Sequence, residues 1–123
     1  MCMDKLFAFE DLDVYQVARQ YVKHVYILSN AFPSKEDFAL TSQIRRAAVS
    51  ITSNIAEGTS RFSIKEKCHF IEIAYGSLME TYSQLQVAMD LKYVSHDSMV
   101  QIAPLIVELR NKLSALRRSY NEK

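Results

Sequence analysis

Gln43, Arg46, Ser50, Ser53, Asn54 and Glu57 stand three or four apart within QIRRAAVSITSNIAEGTSRFS, residues 43–63. In a helix that spacing lines them along one face beside an apolar stripe. Such a face could pair two helices, contact another subunit, or bind an anion through its arginine and hydroxyls. If a helical hairpin turns near Ser60, antiparallel pairing puts Gly76 level with Arg45 and Glu80 level with Thr41. Arg46 then reaches Glu80, and Gly76 lets the two helices approach closely. Burying an arginine after removing its carboxylate costs about 3–5 kcal/mol, so this network must be satisfied internally or face solvent.

A second set with chemical potential is His69, Glu72 and Glu80. His69 and Glu72 are three apart and could share a metal ion, with Glu80 two turns beyond Glu72 on the same face. Di-iron bundles, however, take carboxylates from several helices and paired Glu-x-x-His motifs. The facing segments here offer only Glu57, so a metal-binding enzyme is the weaker alternative. Cys68 and His69 are adjacent, and adjacent helix residues point about 100° apart, so they form no thiolate–imidazole pair. Cys68 fits a small buried hydrophobe better. Gly58 and Gly76 are the chain's two glycines, too few for a phosphate-cradling loop. No catalytic, metal or cofactor residue is assigned.

Basic residues gather at Arg45 and Arg46, at Arg61, Lys65 and Lys67, and at Arg110, Lys112, Arg117 and Arg118. The first two groups could form an edge that contacts phosphates, with Phe62 stacking on a base. Solubility and ordinary ion pairing account for them more simply.

These residues need helices to position them. Val14, Ala18, Tyr21, Val25, Leu28 and Phe32 alternate by four and three, predicting a helix over about residues 11–31 that closes before Pro33. Ser34 and Asp37 suit the start of a second helix over 35–57, carrying Leu40, Ile44, Ala48, Ile51 and Ile55 and stopping at Gly58 in a left-handed conformation. Ser63 and Glu66 have capping-box spacing at the head of a third helix over 63–92, with Ile64, Ile71, Ala74, Leu78, Tyr82, Leu85 and Met89 as its core face. Ser95 begins a fourth over 96–120, bearing Ile102, Ile106, Leu109, Leu113, Leu116 and Tyr120. Pro104 inside it predicts a kink or an irregular first turn. Phe70, Ile73, Met79, Val49 and Ala56 lie off the core stripes, which suggests a second apolar face for an oligomer contact.

Composition agrees with helices. The chain has 123 residues, two glycines and two prolines, too few turn formers for a β-sandwich or barrel. Four amphipathic segments with short connections predict one all-α domain, an up-down-up-down antiparallel four-helix bundle with crossing angles of about 20°. A net charge of +1 gives little long-range pull on polyanions. The charge is unevenly spread, because the first 13 residues hold four acids against one base, leaving fourteen bases against ten acids in the rest. Cys2 and Cys68 are too few for a disulfide framework and are read as reduced thiols. The acidic amino terminus does not suit a secretory signal, and no apolar run nears the roughly 20 residues that span a bilayer. A soluble cytoplasmic protein is expected.

FEDLDVYQVA, FPSKEDFALTSQIRRAAVSITSNIAEG and FIEIAYGSLMET occur in that order. Together they closely resemble bacterial four-helix-bundle proteins first met as reading frames inside intervening sequences of large-subunit ribosomal RNA genes. The resemblance spans about residues 7–120, the fourth helix matching only as a pattern. That family is similar in fold to the accessory protein of diversity-generating retroelements, a homopentameric barrel that binds a reverse transcriptase and nucleic acid. The resemblance implies an up-down-up-down bundle, assembly with itself as a homopentamer, and no catalytic residues. Arg45, Arg46, Ser50, Asn54, Glu57, Gly58, Gly76, Ser77 and Glu80 match its motif positions. The retroelement protein is strongly basic, whereas this chain is nearly neutral. The expectation is a non-enzymatic, self-assembling bundle with an RNA- or nucleoprotein-associated role and no small-molecule substrate, the alternative being a nucleic-acid-binding module.

Overall fold

A computed structural model of the chain describes residues 5–122. Cys2, expected as a reduced thiol, lies outside them. Four helices follow in order: α1 (Asp13–Ser29), α2 (Leu40–Ser60), α3 (Ile64–Asp90) and α4 (His96–Asn121), with single 3-10 turns at Ala8–Asp11 and Ser34–Glu36. Helices consecutive in the chain pack against each other and α1 closes against α4. Thus α1/α3 and α2/α4 are the diagonals of the expected all-α four-helix bundle. The core stripes are those of the sequence: Val14, Ala18, Tyr21 and Val25 from α1, Ile44, Ala48, Ile51 and Ile55 from α2, Ile71, Ala74, Leu78 and Leu85 from α3, and Ile102, Ile106, Leu109 and Leu113 from α4. Ile64 and Tyr82, expected in the core, are exposed. Thr81 occupies the inward phase beside Tyr82 and is fully buried.

The helix ends follow local hydrogen bonding, and several differ from expectation. Ser34 starts no helix; it begins the 3-10 turn after Pro33. The service Ser34 was expected to give comes from Glu36, whose Oε1 accepts the Leu40 backbone N–H at 3.3 Å and whose Oε2 accepts the Tyr93 hydroxyl at 2.9 Å. A carboxylate also suits the positive end of α2. Ser63 caps α3 by accepting from the Glu66 N–H, and Ser95 caps α4 by accepting from the Ser98 N–H, both at 3.1 Å. The helix α4 is unbroken from His96 through Pro104, so the expected irregular first turn is absent. Pro104 and Val100, whose carbonyl it leaves without an amide partner, are both on the exposed side.

Gly58 does not stop α2. It has no positive φ, and α2 continues to Ser60. A left-handed stop instead closes α3 at Lys92, φ 69°. There Tyr93 N–H reaches back to Ala88 O at 2.8 Å and Lys92 N–H to Met89 O at 3.0 Å, the paired bonds of a Schellman motif. Tyr93 then packs on Phe32, ring centroids 5.5 Å apart.

Candidate functional site

The polar face of α2 meets α3 in a short hydrogen-bonded seam. Ser50 and Ser77 share a hydroxyl contact at 3.0 Å. Asn54 Nδ2 donates to the Ser50 carbonyl at 2.8 Å and to its Oγ at 2.9 Å. This pairing sets the register: Ser77 is level with Ser50, so Gly76 does not lie opposite Arg45 as expected. The hairpin turns nearer Ser63 than Ser60.

Close helix approach also occurs at the other glycine. A methyl added to Gly58 would stand 3.0 Å from Phe70 Cβ and 3.2 Å from Ile71 Cδ1, whereas one added to Gly76 would meet nothing within 4 Å. Gly58 is buried at the α2–α3 crossing, and Gly76 is exposed on the outside of α3.

Above the seam, Phe38, Ser42, Gln43, Arg46, Ala47, Ser50, Ser77 and Glu80 line an open groove of ≈ 450 Å³. Arg46 and Glu80 share it, but no ion pair joins them. Glu80 accepts instead from Gln84 Nε2 at 3.1 Å. Arg46 is exposed, which removes the need for an internal counter-charge. Glu57 pairs with Arg61 at 3.3 Å and borders a second depression of ≈ 590 Å³ with Phe7, Phe9, Leu12, Ala56 and Tyr120.

The five basic residues singled out in sequence are not one patch. Arg45 is held at the end of α1: Nε donates to Ser29 Oγ and Nη2 to Asn30 Oδ1, each at 2.8 Å, and its guanidinium lies 4.6 Å from the Tyr26 ring centroid. A cation there complements the negative end of α1. Arg61 and Lys67 sit at the α2–α3 turn, about 24 Å from Arg45 at 1.5 Å per helical residue. Arg61 lies over the Phe70 ring at 4.5 Å. Lys67 Nζ donates to the Thr59 carbonyl at 2.9 Å and lies over Tyr120. Lys65 is exposed at the same turn, next to Phe62, which is fully exposed.

The metal alternative is corrected by position. Among the described residues no three His, Cys, Asp or Glu side chains converge. Glu72 is taken by Arg117, whose Nε donates to Oε1 at 2.8 Å, and His69 lies edge-on to Phe70. Cys68 donates to Asn121 Oδ1 at 3.3 Å and is buried, as expected of a structural thiol. Lys112 binds both Asp13 and Glu108, and hydrogen bonding to Asp13 raises its pKa.

Sequence reasoning placed Tyr21 in the core stripe but missed Thr81, whose Oγ1 meets the Tyr21 hydroxyl in the core. Burial pushes the Tyr21 pKa up to about 12, offset in part by its hydrogen bond with Thr81. The signal was available: Thr81 stands three after Leu78 and four before Leu85, the phase of a core residue. Phe38, a fully exposed aromatic ring just before α2, was also missed, whereas Phe62 is exposed as a stacking ring would need.

A family model described as 23S rRNA-intervening sequence protein matches residues 10–115. Among solved structures, the chain is similar to a protein of unknown function from the S23 ribosomal protein family of Bacteroides thetaiotaomicron. The TM-score is 0.77 at 20% identity, covering 85% of this chain and 97% of that one. At that identity the likeness is one of fold. No curated protein matches. No described helix is long and apolar enough to cross a membrane.

Proposed function

The chain belongs to the 23S rRNA-intervening sequence protein family, and from that premise we propose that it is a non-enzymatic, self-assembling bundle acting in association with RNA or a nucleoprotein in the cytoplasm. The observation that carries self-assembly is the apolar surface outside the core. Phe38 and Phe62 are fully exposed, and Val49, Ile73 and Met79 are 40%, 38% and 37% exposed on the α2–α3 side. A monomeric bundle gains nothing from such a surface, while a subunit contact would bury it. The stoichiometry proposed is five, on the resemblance to the retroelement accessory protein. Light scattering from the full chain across micromolar concentrations tests this, with a mass near five protomers expected and a monomer throughout overturning it.

The second reading, expected of Arg45, Arg46, Arg61, Lys65 and Lys67, narrows to a nucleic-acid-binding module centred on Arg61, Lys65 and Lys67 at the α2–α3 turn, since Arg45 is held against α1. Exposed Phe62 between Arg61 and Lys65 favours it, since a ring beside cations suits base stacking with phosphate contact. Arg46 and Lys65 are the members with no ion-pair or hydrogen-bond partner among the described residues. Binding through phosphates weakens as salt rises. Titration with structured RNA at two salt concentrations therefore reads it directly, and no binding at low salt rejects it.

A further inference from the structure

The diagonal helices α1 and α3 present opposite charge on opposite sides of the bundle. Helical phase puts Glu72, Ile73, Gly76, Met79, Glu80, Val87 and Asp90 on the side of α3 turned away from the core. All are exposed. From Cys68 to Asp90 α3 has three acids and no Lys or Arg. Glu72 is neutralised by Arg117, whereas Glu80 and Asp90 have no cationic partner among the described residues.

On α1 the outward side carries Arg19 and Lys23, flanked by Tyr26 and Ile27, the last two 38% and 57% exposed. Asp13 is the one acid of α1, and it is bound to Lys112. Neither Arg19 nor Lys23 has a carboxylate partner among the described residues.

Gly76 is the second observation. A mid-helix glycine costs about 1 kcal/mol relative to alanine. Within the chain nothing lies near enough to need it. It leaves the outward side of α3 without a side chain between Ile73 and Met79, so another helix can approach its backbone there.

Resting on the self-assembly reading, we infer that the outward face of α3 docks on the outward face of α1 of a second copy of this chain. Glu80 and Asp90 meet Arg19 and Lys23, and Gly76 lets the two helices approach closely. Because the two surfaces differ and lie on opposite sides, the contact is heterologous. Every copy keeps one face free for the next until a ring closes or a filament grows.

Light scattering on full-length charge-reversal variants tests the assignment. E80K/D90K makes both faces basic and R19E/K23E makes both acidic, so each variant should require a roughly tenfold or higher concentration to assemble, with unchanged helical circular dichroism. An equimolar mixture should recover pairwise association, seen as a rise in mass above the monomer, although alternation cannot close a ring of five; the quadruple variant should assemble alone to the parent's mass. Variants that assemble like the parent overturn the face assignment. So does a mixture that stays dissociated. A parent chain that is monomeric throughout overturns self-assembly itself and this contact with it.

Discussion

The Tyr21 hydroxyl donates to Thr81 Oγ1 at 2.7 Å across the α1/α3 diagonal of the bundle. The direction follows from Thr81, whose own proton is directed to the Leu78 carbonyl at 2.7 Å. Both side chains are fully buried, so this bond joins two helices that do not pack as neighbours. A buried donor must keep its acceptor, and only one pairing of α1 with α3 supplies it.

Removing the two partners should therefore have unequal effects. Tyr21→Phe deletes a donor and leaves Thr81 bonded to Leu78, at a cost of about 0.5–1.5 kcal/mol. Thr81→Val keeps the volume but strands a buried phenol, at about 1–3 kcal/mol. Urea unfolding should rank Thr81→Val as the more damaging, with the double variant less damaged than the sum. The reverse order would show the donor assignment to be wrong.

The same burial makes stability sensitive to alkali. Tyr21 titrates at about 12 in the fold, against its ordinary value of 10.0. The neutral phenol is the form the fold favours, so its contribution is fully present below pH 10 and lost as pH rises toward about 12. A shift of this size corresponds to about 2–3 kcal/mol. Unfolding free energy measured between pH 9 and 12, about the limits of this titration, should decline less steeply in Tyr21→Phe than in the parent.

The two glycines predict opposite signs. Gly58→Ala forces a methyl into Phe70 and Ile71 at the α2–α3 crossing and should cost about 1–3 kcal/mol. Gly76→Ala adds a methyl in open space and should raise protomer stability by about 0.5–1 kcal/mol. Thermal melts of the two single variants check this, and equal shifts would contradict the register set by Ser50 and Ser77.

Lys92 occupies a left-handed position that glycine adopts without strain. Lys92→Gly should stabilise the protein by about 0.5–1 kcal/mol, the relief of left-handed strain less glycine's greater loss of backbone freedom. A lower melting temperature would mean that the lysine side chain offsets its backbone strain.

Arg45 and Arg46 are neighbours in sequence with different environments. Arg45→Ala loses the bonds to Ser29 and Asn30 and should cost about 1–2 kcal/mol. Arg46→Ala should lie within about 0.5 kcal/mol of the parent. Chemical denaturation of each separates the anchoring cation from the solvent-facing one.

What the sequence determined by itself is whatever depends on neighbours a few residues away. The stripes through Ile44, Ile51, Leu78 and Leu109, the caps at Ser63 and Ser95, and the all-helical class all follow from spacing and local hydrogen bonding. Registration between helices was decided only in three dimensions, because it depends on which side chains interlock across a crossing. Gly58 looked like a stop and is a packing site, while Gly76 looked like a packing site and faces outward. The reason is a shift of the α2–α3 pairing to bring Ser50 beside Ser77, which moves every cross-helix partner with it. Arg45 was equally beyond local reasoning, since its partners belong to α1. Tyr21 and Thr81 stand 60 residues apart, and only the packed bundle brings them together.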